Sequence, residues 1–293
     1  MSKRAPMTEL TGPLPGLSVL TSQYHAILSD VWGVVHNGVT QHTAAVDALV
    51  RFRAQGGRVV LITNAPRPRG PIIAQLDALG VSRDAYDGLI SSGDATRTLL
   101  EGFKGKTVCR VGPKQDDVLF DGLDIAFGDV SEASAVVVTD LDTDDDTPDD
   151  YRDRMEQWLA RGLPMICANP DKVVEDGDRL VYCGGALADA YEDAGGRVMM
   201  AGKPFNPIYE QAKQMLDDAG RRTFAPSRVL AIGDSLRTDA MGAAQFGIDL
   251  LFVTGSIHAA ELDAFNNPPP RRIADFISPS RARLAGYMPK LEW

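Results

Sequence analysis

Short apolar runs alternate with stretches of helical spacing along most of the chain, and this alternation narrows the fold more than any other feature. The runs Tyr24–Ser29, Arg58–Ile62, Lys106–Val111, Ala135–Val138, Pro164–Cys167, Arg228–Ile232 and Asp249–Val253 are each too short for a helix and read as buried strands. Between them, Pro71–Leu79 keeps helical spacing and stops at Gly80, and Asp239–Phe246 stops at Gly247. Glycine is the residue that most easily makes the left-handed turn closing a helix. Strands and helices in this order predict βαβ units, a mostly parallel sheet and an α/β fold. With 293 residues, 44% of them hydrophobic, there is enough apolar material for two domains.

Two glycine-bearing joints, Ser91-Ser92-Gly93 and Gly195-Gly196, bracket a middle segment with strands and helices of its own. The expected division is a core made of residues 1–92 and 197–293, with a second α/β domain, residues 93–196, inserted between them. The residues that look chemically committed, Asp30, Thr63, Lys203, Asp234 and Asp239, all lie outside the insert. The outer segments must therefore fold together.

Each of these residues falls at or near the end of a strand. A carboxylate such as Asp30, after a buried strand and before the Gly-containing turn Val31-Trp32-Gly33, sits where open α/β sheets place ligands. Thr63 and Asn64 close the next strand, where a hydroxyl and nearby backbone amides suit a phosphate oxygen. Lys203, in Gly202-Lys203-Pro204, offers a point positive charge. Asp234 and Asp239 follow the strand Arg228–Ile232. Three carboxylates converging on one site would raise one another's pKa unless a cation neutralised them, and hard oxygen ligands beside a phosphoryl group suit Mg²⁺.

The formal net charge of -10 and the lack of a long basic run argue against a nucleic-acid partner. No apolar run reaches membrane-spanning length, so no membrane partner is expected. The start, Met1-Ser2-Lys3-Arg4-Ala5-Pro6, leads into Glu9, Thr11, Gly12 and Pro13 rather than an apolar stretch, unlike a secretory leader. The cysteines, Cys109, Cys167 and Cys183, are odd in number and lack paired metal spacing, which fits a reducing cytoplasm. A homo-oligomer is left open.

With Asp30, Thr63, Lys203 and the pair Asp234 and Asp239 in this order, the chain resembles the haloacid dehalogenase superfamily of aspartate-nucleophile hydrolases. Further runs narrow the resemblance to its class IIA, p-nitrophenylphosphatase-like branch: Thr63-Asn64, Ser92-Gly93-Asp94-Ala95, Asn169-Pro170-Asp171, Gly202-Lys203-Pro204 and Gly233-Asp234-Ser235-Leu236-Arg237-Thr238-Asp239. The resemblance implies a Rossmann-like core whose inserted α/β cap closes over a small phosphorylated metabolite. It implies that Asp30 attacks phosphorus and forms an aspartyl-phosphate. It further implies Mg²⁺ held by Asp30, Asp234 and the backbone carbonyl of Trp32, with Asp239 supporting its water shell. Thr63, Asn64 and Lys203 would hold the phosphoryl group, and Asn169 would reach the substrate from the cap.

The chain departs from this pattern at Trp32, which stands where the family's phosphatases carry a second aspartate for acid-base work. Three functions stay open: a phosphatase for esters with good leaving groups or with a substitute acid, a metal-independent dehalogenase, and a non-catalytic sensor of a phosphorylated metabolite. His36 is read as a flap or packing residue. The acidic run Asp140–Asp146 lacks the Gly and Glu of a calcium loop and reads as a solvated loop, with Thr147-Pro148 starting a helix and Asp150 completing a capping box.

Overall fold

The computed structural model describes residues 12–176, 179–217 and 222–293. Met1–Thr11, part of the start read as unlike a secretory leader, lies outside the described residues. Strands β1 (Ala26–Ser29), β2 (Arg58–Thr63) and β3 (Gly88–Ser91) form half of the first sheet. The other half comes from the far end of the chain, in β11 (Val229–Gly233), β12 (Asp249–Val253) and β13 (Arg283–Met288). The strand order is β13-β12-β11-β1-β2-β3, and every pairing is parallel.

These strands are apolar on both sides because both faces are covered. Successive side chains alternate between two cores: Ile27, Val59, Leu61 and Leu251 pack on one face, and Leu28, Val60, Ile62, Leu250 and Phe252 on the other. Among the helices that cover them are α1 (Thr43–Ala54), α2 (Arg69–Ala78), α6 (Asn206–Leu216), α7 (Met241–Phe246) and α9 (Pro270–Ile277). The helix read as Asp239–Phe246 is a π-turn over Leu236–Ala240 that runs into α7, which Gly247 ends at φ 75.

The middle of the chain builds its own five-stranded parallel sheet, ordered β10-β7-β6-β4-β5. Its strands are β4 (Lys106–Val111), β5 (Ile125–Phe127), β6 (Val136–Val138), β7 (Met165–Cys167) and β10 (Val198–Met200). Helix α3 (Ser92–Leu100) leads into it, capped by Ser91 and Asp94 in a reciprocal box, and α4 (Arg152–Ala160) and α5 (Gly184–Asp193) pack on it. The sheet has cores of its own, in one of which Trp158 meets Tyr191 edge to face. The fold is thus a Rossmann-like parallel core with an inserted α/β unit. The second sheet takes in β10, which lies past the Gly195-Gly196 joint. An antiparallel hairpin, β8 (Val173–Asp176) and β9 (Arg179–Tyr182), projects from the insert. Cys109, Cys167 and Cys183 are free and buried. Among the described residues, no helix is long and apolar enough to cross a membrane.

Candidate active site

The order of the core sheet reverses between β1 and β11, the place where parallel α/β sheets leave a crevice at their carboxyl ends. Asp30 follows β1 and Asp234 follows β11, so the reversal brings together residues from opposite ends of the chain. Oxygens of Asp30, Asp234 and Asp239 lie within 4.8 Å of one another, and all three residues are buried. Two glycines permit this approach. A side chain on Gly33, at φ 82, would start 2.1 Å from Asp234 Oδ2, and one on Gly233 would start 2.1 Å from Asp239 Cγ.

Lys203 closes the cluster. Its side chain is almost wholly buried, with Nζ 2.6 Å from Asp30 Oδ1 and 2.8 Å from Asp239 Oδ1. Asn64 fixes the lysine from behind: Lys203 N donates to Asn64 Oδ1 at 2.7 Å, and Asn64 Nδ2 donates to the Lys203 carbonyl at 3.2 Å. Asp30 Oδ1 also accepts from Val31 N at 2.7 Å, and Asp239 Oδ2 from Ser235 N at 3.2 Å. Thr63 is buried at the end of β2, its Oγ1 accepting from Ala65 N at 3.2 Å.

Burial pushes the Asp30 carboxyl well above its usual range, and the Asp239 charge pushes it further, against the pull of Lys203. Asp234 rises to about 8, again through burial first and Asp239 second. For Lys203, burial works against the charge, but Asp239 and Asp30 outweigh it and hold the ammonium well above the ordinary lysine range. Three buried carboxylates face one ammonium, a surplus of negative charge that suits a hard divalent cation bound by oxygen.

Trp32 turns away from this cluster. Its indole Nε1–H donates to the carbonyl of Glu175 in β8, and its ring meets His36 edge to face at 4.9 Å. His36 is buried, as a packing residue should be, and its Nδ1 accepts from Gly38 N at 2.9 Å. Asn169 sits apart from the carboxylates: its Nδ2 donates to Asp140 Oδ2 at 3.2 Å and its Oδ1 accepts from Asp171 N at 3.2 Å. Together with Trp32 and Thr63 it lines a cavity of about 670 Å³ between core and insert.

Two family models of haloacid dehalogenase-like hydrolases match the chain, one over residues 27–126 and the other over residues 200–278. A solved hydrolase of the haloacid dehalogenase-like family from Brucella suis is 44% identical, with a TM-score of 0.81 over 85% of this chain and 95% of that one. The chain belongs to the haloacid dehalogenase-like hydrolases. A mouse haloacid dehalogenase-like hydrolase domain-containing protein 2 is 26% identical over 83% of this chain and 90% of its own length. The glycerol phosphate phosphatase Rv1692 of Mycobacterium tuberculosis, crystallised with magnesium, is 25% identical, with a TM-score of 0.61 over 86% of this chain and 74% of that one. The α/β insert is the arrangement expected of the class IIA branch.

Two acids of this hydrolase's cavity are given no role by the sequence, although Asp171 belongs to a run that carries the resemblance. Asp171, the last residue of the turn Asn169-Pro170-Asp171, accepts from Asn64 Nδ2 at 3.0 Å, and burial raises its pKa. Asp140 opens the run read as solvated, and here the structure corrects the sequence. Asp144 and Asp145 are exposed, but Asp140 lines the cavity with its carboxyl pushed up to about 7, by burial first and Asp116 second. The capping box of Thr147 and Asp150 forms as expected.

Proposed function

We propose that this hydrolase is a Mg²⁺-dependent phosphatase of a small phosphorylated metabolite, with Asp30 as the nucleophile and residues 93–200 as the cap. The observation that carries this is the Lys203 ammonium 2.6 Å from Asp30 Oδ1, beside two further carboxylates at the sheet's reversal point. Asp30, Asp234 and the Trp32 carbonyl would hold the metal, with Asp239 supporting its water shell. When bound, Mg²⁺ supplies positive charge that offsets the carboxylates and the phosphoryl oxygens.

The Asp30 carboxylate attacks phosphorus in line, the ester oxygen departs, and water then cleaves the aspartyl-phosphate. Lys203 pulls Asp30 towards its ionised form against burial and offsets charge on the phosphoryl oxygens, with the Thr63 hydroxyl donating to one of them. Asn64 contributes by positioning Lys203. The magnesium bound by the glycerol phosphate phosphatase supports the metal assignment for this chain.

The test is phosphate release from acetyl phosphate and p-nitrophenyl phosphate with and without Mg²⁺, for wild type and Asp30→Asn. The expected result is metal-dependent release that Asp30→Asn abolishes. Release unaffected by the substitution, or none from wild type, would overturn the proposal.

A further inference from the structure

The indole of Trp32 has no acidic proton to give a leaving oxygen, and its N–H is committed to the Glu175 carbonyl. A phosphatase with this side chain needs its acid from another wall of the cavity. Among the carboxyls of the insert that line that cavity with Trp32 and Thr63, Asp140, Asp171 and Asp176 are half-buried, and Asp116 is buried and paired with Arg67 at 3.5 Å. Asp140 has both oxygens engaged, Oδ1 by Leu141 N at 3.1 Å and Oδ2 by Asn169 Nδ2 at 3.2 Å.

Asp171 is differently tied. The Asn64 amide that donates to its Oδ1 at 3.0 Å also clamps the Lys203 backbone, and Lys203 Nζ lies 2.6 Å from Asp30. Asp171 is therefore connected to the nucleophile through two residues, and its charge is felt at Asp30. Asn169 Oδ1 accepts from the Asp171 backbone N, which fixes the turn that carries it.

We propose that Asp171, presented by the insert, is the general acid and base of this phosphatase in place of the residue at position 32. The assignment rests on the phosphatase reading above. As Asp30 forms its bond to phosphorus, the bond from phosphorus to the ester oxygen breaks, and that oxygen takes the proton of the Asp171 carboxyl. The resulting Asp171 carboxylate then takes a proton from the water that attacks the aspartyl-phosphate, which releases inorganic phosphate and the Asp30 carboxylate and leaves Asp171 protonated again. Burial of Asp171 favours the protonated starting state; Lys203 and then the Asn64 amide oppose it, Asp239 assists, and Thr238 opposes it least.

The experiment compares kcat/KM for acetyl phosphate, whose leaving group needs no proton, with that for the best alkyl phosphate monoester of the wild type. Asp171→Asn is expected to lower the alkyl value by about a hundredfold or more, the range of a positioned acid, and the acetyl value by less than about tenfold. Asp171→Glu is expected to restore part of the alkyl activity, and retained acetyl phosphate turnover shows that each variant is folded. Equal losses on both substrates, no loss on either, or a wild type confined to acyl and aryl phosphates would overturn the assignment alone. A wild type that releases phosphate from no ester would overturn the phosphatase reading and this inference with it.

Discussion

The core and the insert, the two walls of the cavity, hold their carboxyl groups with different donors. Behind the core wall, Asp30 and Asp239 share a buried ammonium at 2.6 and 2.8 Å. On the insert's wall, Asp171 and Asp140 meet the amides of Asn64 and Asn169, and burial raises both pKa values. Both kinds of donor favour the ionised carboxylate, the ammonium with a full charge and the amide with a dipole, and burial opposes both. The core answers burial with a cation and the insert answers it with neutral amides.

The strongest blow to that contrast is Lys203→Met. It strands two buried carboxylates, and unfolding in denaturant should show a loss of about 3–5 kcal/mol together with the loss of phosphate release. A cost below about 1 kcal/mol, the scale of an exposed ion pair, would erase the difference between the walls.

Next in size is an effect of acid on His36, beneath the core wall. Burial first, then the charges of His42 and Arg67, lower its pKa from 6.5 to about 4, and its Nδ1 must stay unprotonated to accept from Gly38 N. The unfolded chain takes up this proton at higher pH than the folded one, so the ring's contribution is complete above pH 6.5 and falls away towards pH 4. Asp140 and Asp234, with raised values, pull the other way, so the readout is a difference between proteins. The stability advantage of wild type over His36→Gln should shrink by about 3 kcal/mol between pH 7 and pH 4. A pH-independent difference would show that the ring is not held neutral.

The smallest effect sharpens where the walls join. Trp32→Phe keeps the packing and removes the N–H that reaches Glu175, a loss of about 1 kcal/mol. Hydrogen exchange should quicken in Val173–Asp176 and stay unchanged in β1 and β2, and uniform exchange would show that Trp32 does not fasten the hairpin.

Much of the core was legible from the sequence. The run Asp249–Val253 matches β12 to the residue, because an apolar run closed by Gly and Asp is what a doubly covered parallel strand requires, and in the insert Lys106–Val111 matches β4. Asp30 and Asp234 were legible because each follows a strand end, and Lys203 and Asp239 because they stand in runs that carry the family resemblance. The C-terminal stretch from Pro268 was uninformative, yet it carries α9 and β13. Gly286 interrupts the β13 pattern, and only tertiary packing explains it: a side chain there would start 2.2 Å from the Leu14 side chain. Likewise, Asp140 belongs to a run of acids in which Asp142, Asp144 and Asp145 are exposed, and nothing local separates it from them.

The pairing of β1 with β11 has a consequence for how the molecule comes into being. Ala26–Ser29 lie against Val229–Ile232, so the strands that aim Asp30 and Asp234 are neighbours only across the whole length of the insert. The insert's sheet is complete by Met200 and, among the described residues, pairs with no strand of the core. During synthesis the insert has all its strands before the core sheet has its second half, and the cluster of Asp30, Lys203, Asp234 and Asp239 is incomplete until the last third of the chain has emerged.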